Sequence, residues 1–326
     1  MAGWPSPTKP AKKPKSEAGQ TLTPEPLSGR GTLLVLGAAA LWSTSGMFIR
    51  WILAGSGFSA LSLAFWRDLA TFLCLLVALG LFHPPWLRVA RRDLPWLAAL
   101  GALGVGTFHV LWNLAVVEIG YAVATILLYS APAFVALVAW AVWREPLTRP
   151  KLLAIAMTLA GCVLVAGIDE LAGLQISASG LLLGLAAALG YGSFSLFGRQ
   201  VAPRYSPWTV LTYGFGMGAL VLLPFQFLRP LPQPVPAPAW VSFAALVLLA
   251  TILPFAAYLA GLQRLPVSVA SILAASEVAF GSLLAYLFFR KQLQPWQIVG
   301  AVLVVGGVVL IAMRSRGPSP DPAPPG

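Results

Sequence analysis

A hydrophobic segment occurs twice in this chain: residues 106 to 167 overlay residues 252 to 313 at a constant offset of 146, without a gap. Ala124 falls on Ala270, Ile126 on Ile272, Leu127 on Leu273, Ser130 on Ser276, Arg144 on Arg290, Leu147 on Leu293 and Gly161 on Gly307. Upstream the likeness thins, with Ala39-Ala40-Leu41-Trp42 resembling Ala187-Ala188-Leu189-Gly190-Tyr191. An apolar repeat of this length is the pattern of membrane folds built from two halves, whose site lies between the halves.

Only 10% of the residues are charged, against 58% hydrophobic, where a soluble domain carries about 25% charged residues. Lipid is therefore the main solvent. Runs of about 20 apolar residues fit a hydrocarbon core of roughly 30 Å. Ten such runs are expected, at 32–51, 59–82, 94–114, 121–143, 150–167, 179–199, 208–228, 239–262, 267–289 and 295–313. Their continuity excludes the alternating pattern of a barrel, which leaves an α-helical bundle as the way to satisfy the backbone in lipid.

The ends are different material. Residues 1–30 are rich in Pro, Lys, Ser and Thr, and residues 314–326 are mostly Pro and small residues. Neither stretch can bury enough apolar surface to offset its ordering entropy, so both are expected to be disordered tails. The first apolar run is long enough to span and reads as a retained helix, not a cleaved signal peptide. Cys74 and Cys162 lack metal-ligand or CxxC spacing and are expected to be buried, unpaired thiols. No metal or cofactor is implied.

A net charge of +11 would suggest nucleic acid in a soluble protein, but here its distribution reads as topology. With the N-terminus inside, 16 of the 21 basic residues fall on cytoplasmic segments, among them Arg88, Arg91, Arg92, Arg144, Arg149, Lys151, Arg204 and Arg264. Asp169 and Glu170 fall outside, between the repeats, while Arg229, Arg290 and Lys291 run against the trend and Arg50 ends helix 1. The asymmetry places both termini in the cytoplasm. The expected plan is a first repeat at 31–168, an external linker at 169–178 and a second repeat at 179–313. Because each repeat holds an odd number of helices, the second is inverted relative to the first. Such halves can exchange roles between inward-facing and outward-facing states.

Gly120-Tyr121-Ala122-Val123-Ala124-Thr125, Pro132, Trp143-Arg144-Glu145-Pro146-Leu147-Thr148 and Leu159-Ala160-Gly161 together resemble the core pattern of EamA-domain transporters in the drug/metabolite transporter superfamily. The likeness extends over all ten expected helices. It implies an all-α integral membrane protein with ten transmembrane helices as two inverted five-helix repeats. It implies no single substrate, since members similar to this chain move amino acids, metabolites, nucleotide sugars or drugs. The second repeat departs from the pattern, with Val278 in place of Pro132, Lys291 in place of Glu145 and Glu277 in place of Ala131.

Polar groups inside the membrane are costly and face a cavity or a partner. Glu277 lies about ten residues into helix 9, near midplane at 1.5 Å per residue. Burial disfavours its charged form unless it is paired; it is a proton-coupling or substrate-binding candidate, or else a protonated Glu bonded between helices. Arg67 and Asp68 sit inside helix 2. Their side chains leave the helix about 100° apart, so they are not expected to pair face to face, and at least one must find a partner elsewhere. Members of the resembling family often carry an Arg at the corresponding place. Arg67 either anchors a substrate carboxylate or phosphate or ties helix ends together, and Asp68 is a second proton-coupling candidate.

His109, Trp112 and Asn113 are spaced i, i+3 and i+4, which puts them on one face of helix 3 that should look inward. A His titrates near neutral pH, so His109 suits a gate or proton relay, or else bonds to a neighbouring helix. Trp42, Tyr129, Tyr191, Tyr213 and Tyr258 lie at comparable helical depths and suit an aromatic cavity for organic solutes, each being also able to serve as packing. Gly101 to Gly106, Tyr213 to Gly218 and Gly306-Gly307 allow close helix approach; no Walker lysine or dinucleotide pattern follows them. Glu145, after Arg144 at a helix end, reads as a cap or ion-pair partner.

The resulting expectation is an inner-membrane carrier for a small organic metabolite, an amino acid or related compound, or a drug, probing both sides by alternating access and exporting its substrate. Its partners are that solute, the lipid bilayer and protons, with no nucleic acid, in a monomer or homodimer. A passive channel is the alternative, though no filter-like segment lies between helices. An embedded enzyme is the weaker one, because His83 and His109 are the only histidines and no nucleophile, base and metal set converges.

Overall fold

The computed structural model describes residues 28–56, 58–167, 177–228, 237–290 and 292–313. Both expected tails lie outside the described residues except for residues 28–30, as do Asp169, Glu170, Arg229 and Lys291. The described secondary structure is entirely helical. Among the described residues, nine helical stretches are long and apolar enough to cross a membrane, and Ala131–Trp143 is a shorter apolar helix.

In chain order the helices are α1 Gly29–Trp42, α2 Ser45–Ser56, α3 Ala60–Phe82, α4 Leu94–Gly101, α5 Phe108–Leu128, α6 Ala131–Trp143, α7 Arg149–Ala166, α8 Ala178–Val201, α9 Pro207–Leu228, α10 Ala237–Val247, α11 Leu253–Leu262, α12 Val267–Ala274, α13 Glu277–Phe289 and α14 Pro295–Met313. The expected first run starts earlier and is broken. Ser28 caps α1 by accepting from Gly31 N at 3.2 Å, which draws residues 29 and 30 out of the expected tail. The run then breaks at Ser43 and Thr44, whose hydroxyls donate back to the carbonyls of Ala40 and Leu41, each at 2.7 Å. Such back-bonding competes with the helical ladder.

The gap expected between runs three and four is not a loop. The chain stays helical into α5 and turns only at Gly120, with φ 76° and ψ 161°, a conformation that glycine adopts without a Cβ penalty.

The 146-residue offset reappears in the backbone. Ala102–Thr107 and Leu248–Ile252 are both π-helical. The helix breaks at Tyr129-Ser130 and Ala275-Ser276 coincide, each closed by a serine hydroxyl donating three residues back, Ser130 to Leu127 O at 2.6 Å and Ser276 to Leu273 O at 2.7 Å. Arg144 and Arg290 both end their helices in the left-handed region, at φ 57° and 50°. Packing between α7 and α14 is reciprocal: Gly161 abuts the backbone of Gly300, and Gly307 abuts the backbone of Ala154. Adding 146 to Gly161 gives Gly307 and subtracting 146 from Gly300 gives Ala154, the exchange of partners that a twofold relation between the halves would produce.

The glycine stretches do bring helices together. Gly101 and Gly106 lie against the carbonyls of Gly214 and Gly218 on α9, where a side chain would collide. The outer surface is apolar, with Val117, Phe227 and Val241 all more than 70% exposed; such a surface is at home in lipid and not in water. Both cysteines are free, but only Cys162 is buried. Cys74 lies on an exposed stripe of α3 with Leu73, Val77 and Leu81, which corrects the expectation of two interior thiols.

Candidate functional site

Between the halves lies a small cavity of about 40 Å³. Its walls come from α1, α5, α6, α8, α11 and α12, so both repeats contribute. Trp42, Tyr191 and Tyr258 line it together with Phe108, Phe194 and Phe255. The rings interlock: Trp42 meets Phe255 edge-on at a centroid distance of 4.9 Å and Tyr258 at 5.2 Å, Phe194 meets Phe255 at 5.0 Å, and Phe108 meets Tyr191 at 5.5 Å. Edge and tilted contacts at these distances hold aromatic walls rigid. The polar lining is sparse. Ser195 Oγ shares a 2.6 Å hydrogen bond with the Tyr258 hydroxyl, Ser271 also lines the cavity, and His109 is the single ionisable side chain of the lining besides the tyrosines.

His109 is the front of a buried polar cluster. Arg67 Nη2 donates to His109 Nε2 at 2.5 Å, and Arg67 Nε and Nη2 each lie 3.2 Å from Asp68 Oδ1. The neighbours therefore pair, which corrects the expectation from their 100° separation: the arginine is long enough to fold back over the aspartate. A guanidinium only donates, so His109 Nε2 accepts there and the ring proton sits on Nδ1. That nitrogen faces Asp68 Oδ2 at 3.3 Å, near enough for attraction but not aligned as a hydrogen bond, and neither atom has another hydrogen-bond partner. Asp68 is wholly buried. Arg67 stands behind His109 with its charge already engaged and is not among the cavity-lining residues.

Glu277 is the first residue of α13, just past the break in the 267–289 run. The break puts the carboxylate at a helix N-terminus inside the membrane, where unpaired backbone N–H groups and the helix dipole gather. It is half-buried and makes no hydrogen bond or ion pair among the described residues. Tyr121, Tyr129, Tyr191 and Cys162 lie within its electrostatic reach. Tyr191 also lines the cavity.

Other expected site residues lie apart. Trp112 packs edge-on against Tyr121 at 5.8 Å, and Asn113 Nδ2 donates to the His109 carbonyl of its own helix at 2.7 Å. Of the three residues on that face, His109 alone reaches the cavity. Tyr213 is at one end of the bundle, donating to Leu87 O at 2.7 Å. Phe255 was missed, although the offset could have found it, since it is the counterpart of His109 and both line the cavity. Ser195 and Ser271 carried no signal in an apolar helix.

Residues 29–167 and 178–313 each match the sequence profile of the EamA-like transporter family. The chain belongs to that family and is a multi-pass membrane transporter of the drug/metabolite transporter superfamily. It is 29% identical to the uncharacterized inner membrane transporter YicL of Salmonella typhimurium, over 88% of this chain and 96% of that one. It is 30% identical to a probable terminal-alkyne amino-acid exporter of Streptantibioticus cattleyicolor, over 87% and 94% of the two chains. A solved crystal structure shares the fold with a TM-score of 0.71 at 23% identity, covering 88% of this chain and 97% of that one.

Proposed function

We propose that this chain is a secondary carrier that exports a small organic solute, an amino acid or a related compound with an apolar side chain, across the inner membrane. Its ten crossings form two inverted five-helix repeats with both termini in the cytoplasm, and the solute binds between the repeats. The observation that carries this reading is the aromatic cavity built from both halves, with few polar groups to fix orientation, as expected of a site for a small apolar-bodied ligand. The Streptantibioticus relative, named for amino-acid export, supports the substrate class. The basic residues gathered on one set of connections support the orientation.

Proton coupling is assigned to Glu277. Desolvation opposes its charge while the N-terminus of α13 favours it, so hydration of the pathway decides which prevails. The Asp68–His109–Arg67 cluster is the second candidate.

Counterflow in proteoliposomes tests the reading, with propargylglycine as the probe because it is a terminal-alkyne amino acid. Unlabelled propargylglycine on one side should accelerate movement of the labelled compound from the other, as only a carrier with alternating access allows. Flux without such acceleration would make the protein a channel. No flux of this probe or of a wider panel of apolar amino acids would remove the substrate class.

A further inference from the structure

One end of the bundle carries a charged contact between the repeats. After α6, the Glu145 carboxylate reaches across to the other repeat and caps α12: Oε1 accepts from Val267 N at 3.0 Å, and Oε2 accepts from Ser268 N at 3.3 Å and from the Ser268 hydroxyl. Lys151, only 5% exposed, stands 3.8 Å from Glu145 Oε2 and donates to Ser268 Oγ at 2.8 Å. A carboxylate on the free N–H groups of a helix start, backed by a cation, is a charge-assisted contact stronger than a neutral hydrogen bond.

A second polar cluster closes the same end. Asp93 accepts from Arg204 Nη1 and, at 2.7 Å, from the Tyr205 hydroxyl, which itself accepts from Ala90 N at 3.0 Å. Thr209 donates to Trp86 O at 2.8 Å, beside the Tyr213 contact.

Among the described residues of the opposite end, Ser177 Oγ donates to Glu118 at 3.3 Å, but the residues that form the clasp are not repeated at the matching positions. At an offset of 146, Glu145 becomes Lys291, Lys151 becomes Gln297 and Ser268 becomes Ala122. Gln297 is turned to Val165 O at 3.1 Å, and Ala122 has no hydroxyl to offer.

The capped element is also the wall of the cavity. All eight residues of α12 are buried, and Ser271 and Ala274 line the cavity. Ser271 donates to the Ser268 carbonyl at 3.0 Å, while the amide and hydroxyl of Ser268 hold Glu145. A solute pressing on Ser271 is thus two hydrogen bonds from the clasp, and Glu277 follows the end of α12 after a two-residue break.

We propose that Glu145 is a gate residue: with Lys151 and Ser268 it holds one end of the pathway shut, and each transport cycle must release α12 from it. This rests on the carrier reading for its purpose, though not for its test. The clasp stabilises the state that is open at the other end, and because the matching positions Lys291, Gln297 and Ala122 do not repeat its residues, the two states are held by different contacts.

The test uses the full chain with Cys74 and Cys162 replaced by Ala and a single reporter, Ala274→Cys, in oriented membrane vesicles. A membrane-impermeant maleimide is applied to each side in turn. With Glu145 intact the reporter should react from the unclasped side. Glu145→Ala should raise its rate from the clasped side by roughly tenfold or more, the loss of charge-assisted hydrogen bonds setting that scale. Glu145→Gln, which keeps one acceptor and the side-chain length, should fall between and restore part of the side preference, and Asp93→Asn should shift it in the same direction as Glu145→Ala.

Side preference unchanged in both Glu145→Gln and Asp93→Asn would overturn the gate, whatever becomes of Glu145→Ala. Labelling needs no solute, so loss of the proposed substrate class in the flux assay would leave the gate standing. A protein that moves propargylglycine normally while its labelling ignores Glu145 would lose the gate alone.

Discussion

The broken run 121–143 of the first repeat and its counterpart 267–289 share a backbone and differ in chemistry. Both break after eight helical residues, at Tyr129-Ser130 and Ala275-Ser276, and both end in a left-handed arginine. Past the break the first carries Ala131 and Pro132, which line the cavity, while the second carries Glu277 and Val278. At the far end the first presents Glu145 and the second Lys291. The duplicated part is thus the architecture, and the specific tasks are placed where the copies have diverged. A carrier whose halves were chemically equal would have two states of equal energy and no fixed place for a coupling group.

The largest expected effect tests the first divergence. Glu277→Gln keeps shape and one carbonyl acceptor but cannot exchange a proton, so gradient-driven accumulation of propargylglycine should vanish while counterflow persists. Accumulation with unchanged pH dependence would pass the coupling role to Asp68 or His109. The double change Ala131→Glu with Glu277→Ala sharpens the comparison. If the halves are related by the 146-residue offset, moving the carboxylate to the first repeat should restore some accumulation with altered side dependence. Failure to restore any would mean that the surroundings of Glu277, namely Tyr121, Tyr129 and Tyr191, are as necessary as its charge.

The next effect concerns what the halves share. Gly161→Val and Gly307→Val each push a side chain into the facing backbone, at Gly300 and Ala154 respectively. Overpacking of this kind costs about 1–3 kcal/mol, and the reciprocal geometry makes the two losses similar. Gly37→Ala is the control, because a Cβ there meets nothing within 4 Å. Thermal unfolding in detergent measures all three. A large loss at one glycine with none at the other would break the twofold relation proposed for the halves.

The repeat itself was legible as residues matched at an offset of 146, whereas the paired helix breaks inside 121–143 and 267–289 and the left-handed arginines emerge only in the structure. Intramembrane polarity singled out His109, Asp68 and Glu277 as candidates, of which His109 lines the cavity. What stayed illegible has a physical cause. Lipid and protein interior are both apolar, so the sequence of a spanning helix does not mark which face meets which solvent; Tyr129 and Tyr258 read alike, yet only Tyr258 lines the cavity. Cys74 was unreadable for the same reason. Arg67 was misjudged because direction at the Cα was weighed without the reach of a long side chain. Ser43 and Thr44 break a helix through local hydroxyl bonds that serine and threonine can form without always interrupting one. Glu145 read as a cap from its position at a helix end, but the helix it caps lies in the other repeat, more than 120 residues away.

The smallest effect concerns Val278→Pro, which gives the second repeat the proline of the first. Pro132 sits in the first turn of α6, where an amide has no intrahelical partner and a fixed φ matches the helix. Val278 occupies the same turn of α13, but its amide donates to Ala275 O at 3.2 Å. The substitution removes that bond, a net loss of about 1 kcal/mol, and restricts the unfolded chain, a gain of about 0.4–1 kcal/mol. Proline also disfavours a helical residue before it, and here that residue is Glu277. In the first repeat Ala131 is helical before Pro132, so this backbone accommodates the pair and the penalty should be small. The two main effects then nearly cancel, and the unfolding midpoint should move by no more than a few degrees. A loss of about 3 kcal/mol or more, the scale of proline inside a helix, would mean that the second break is not the backbone equivalent of the first. In that case Glu277 would owe its place to a distortion peculiar to its own repeat, and not to a divergent side chain on shared architecture.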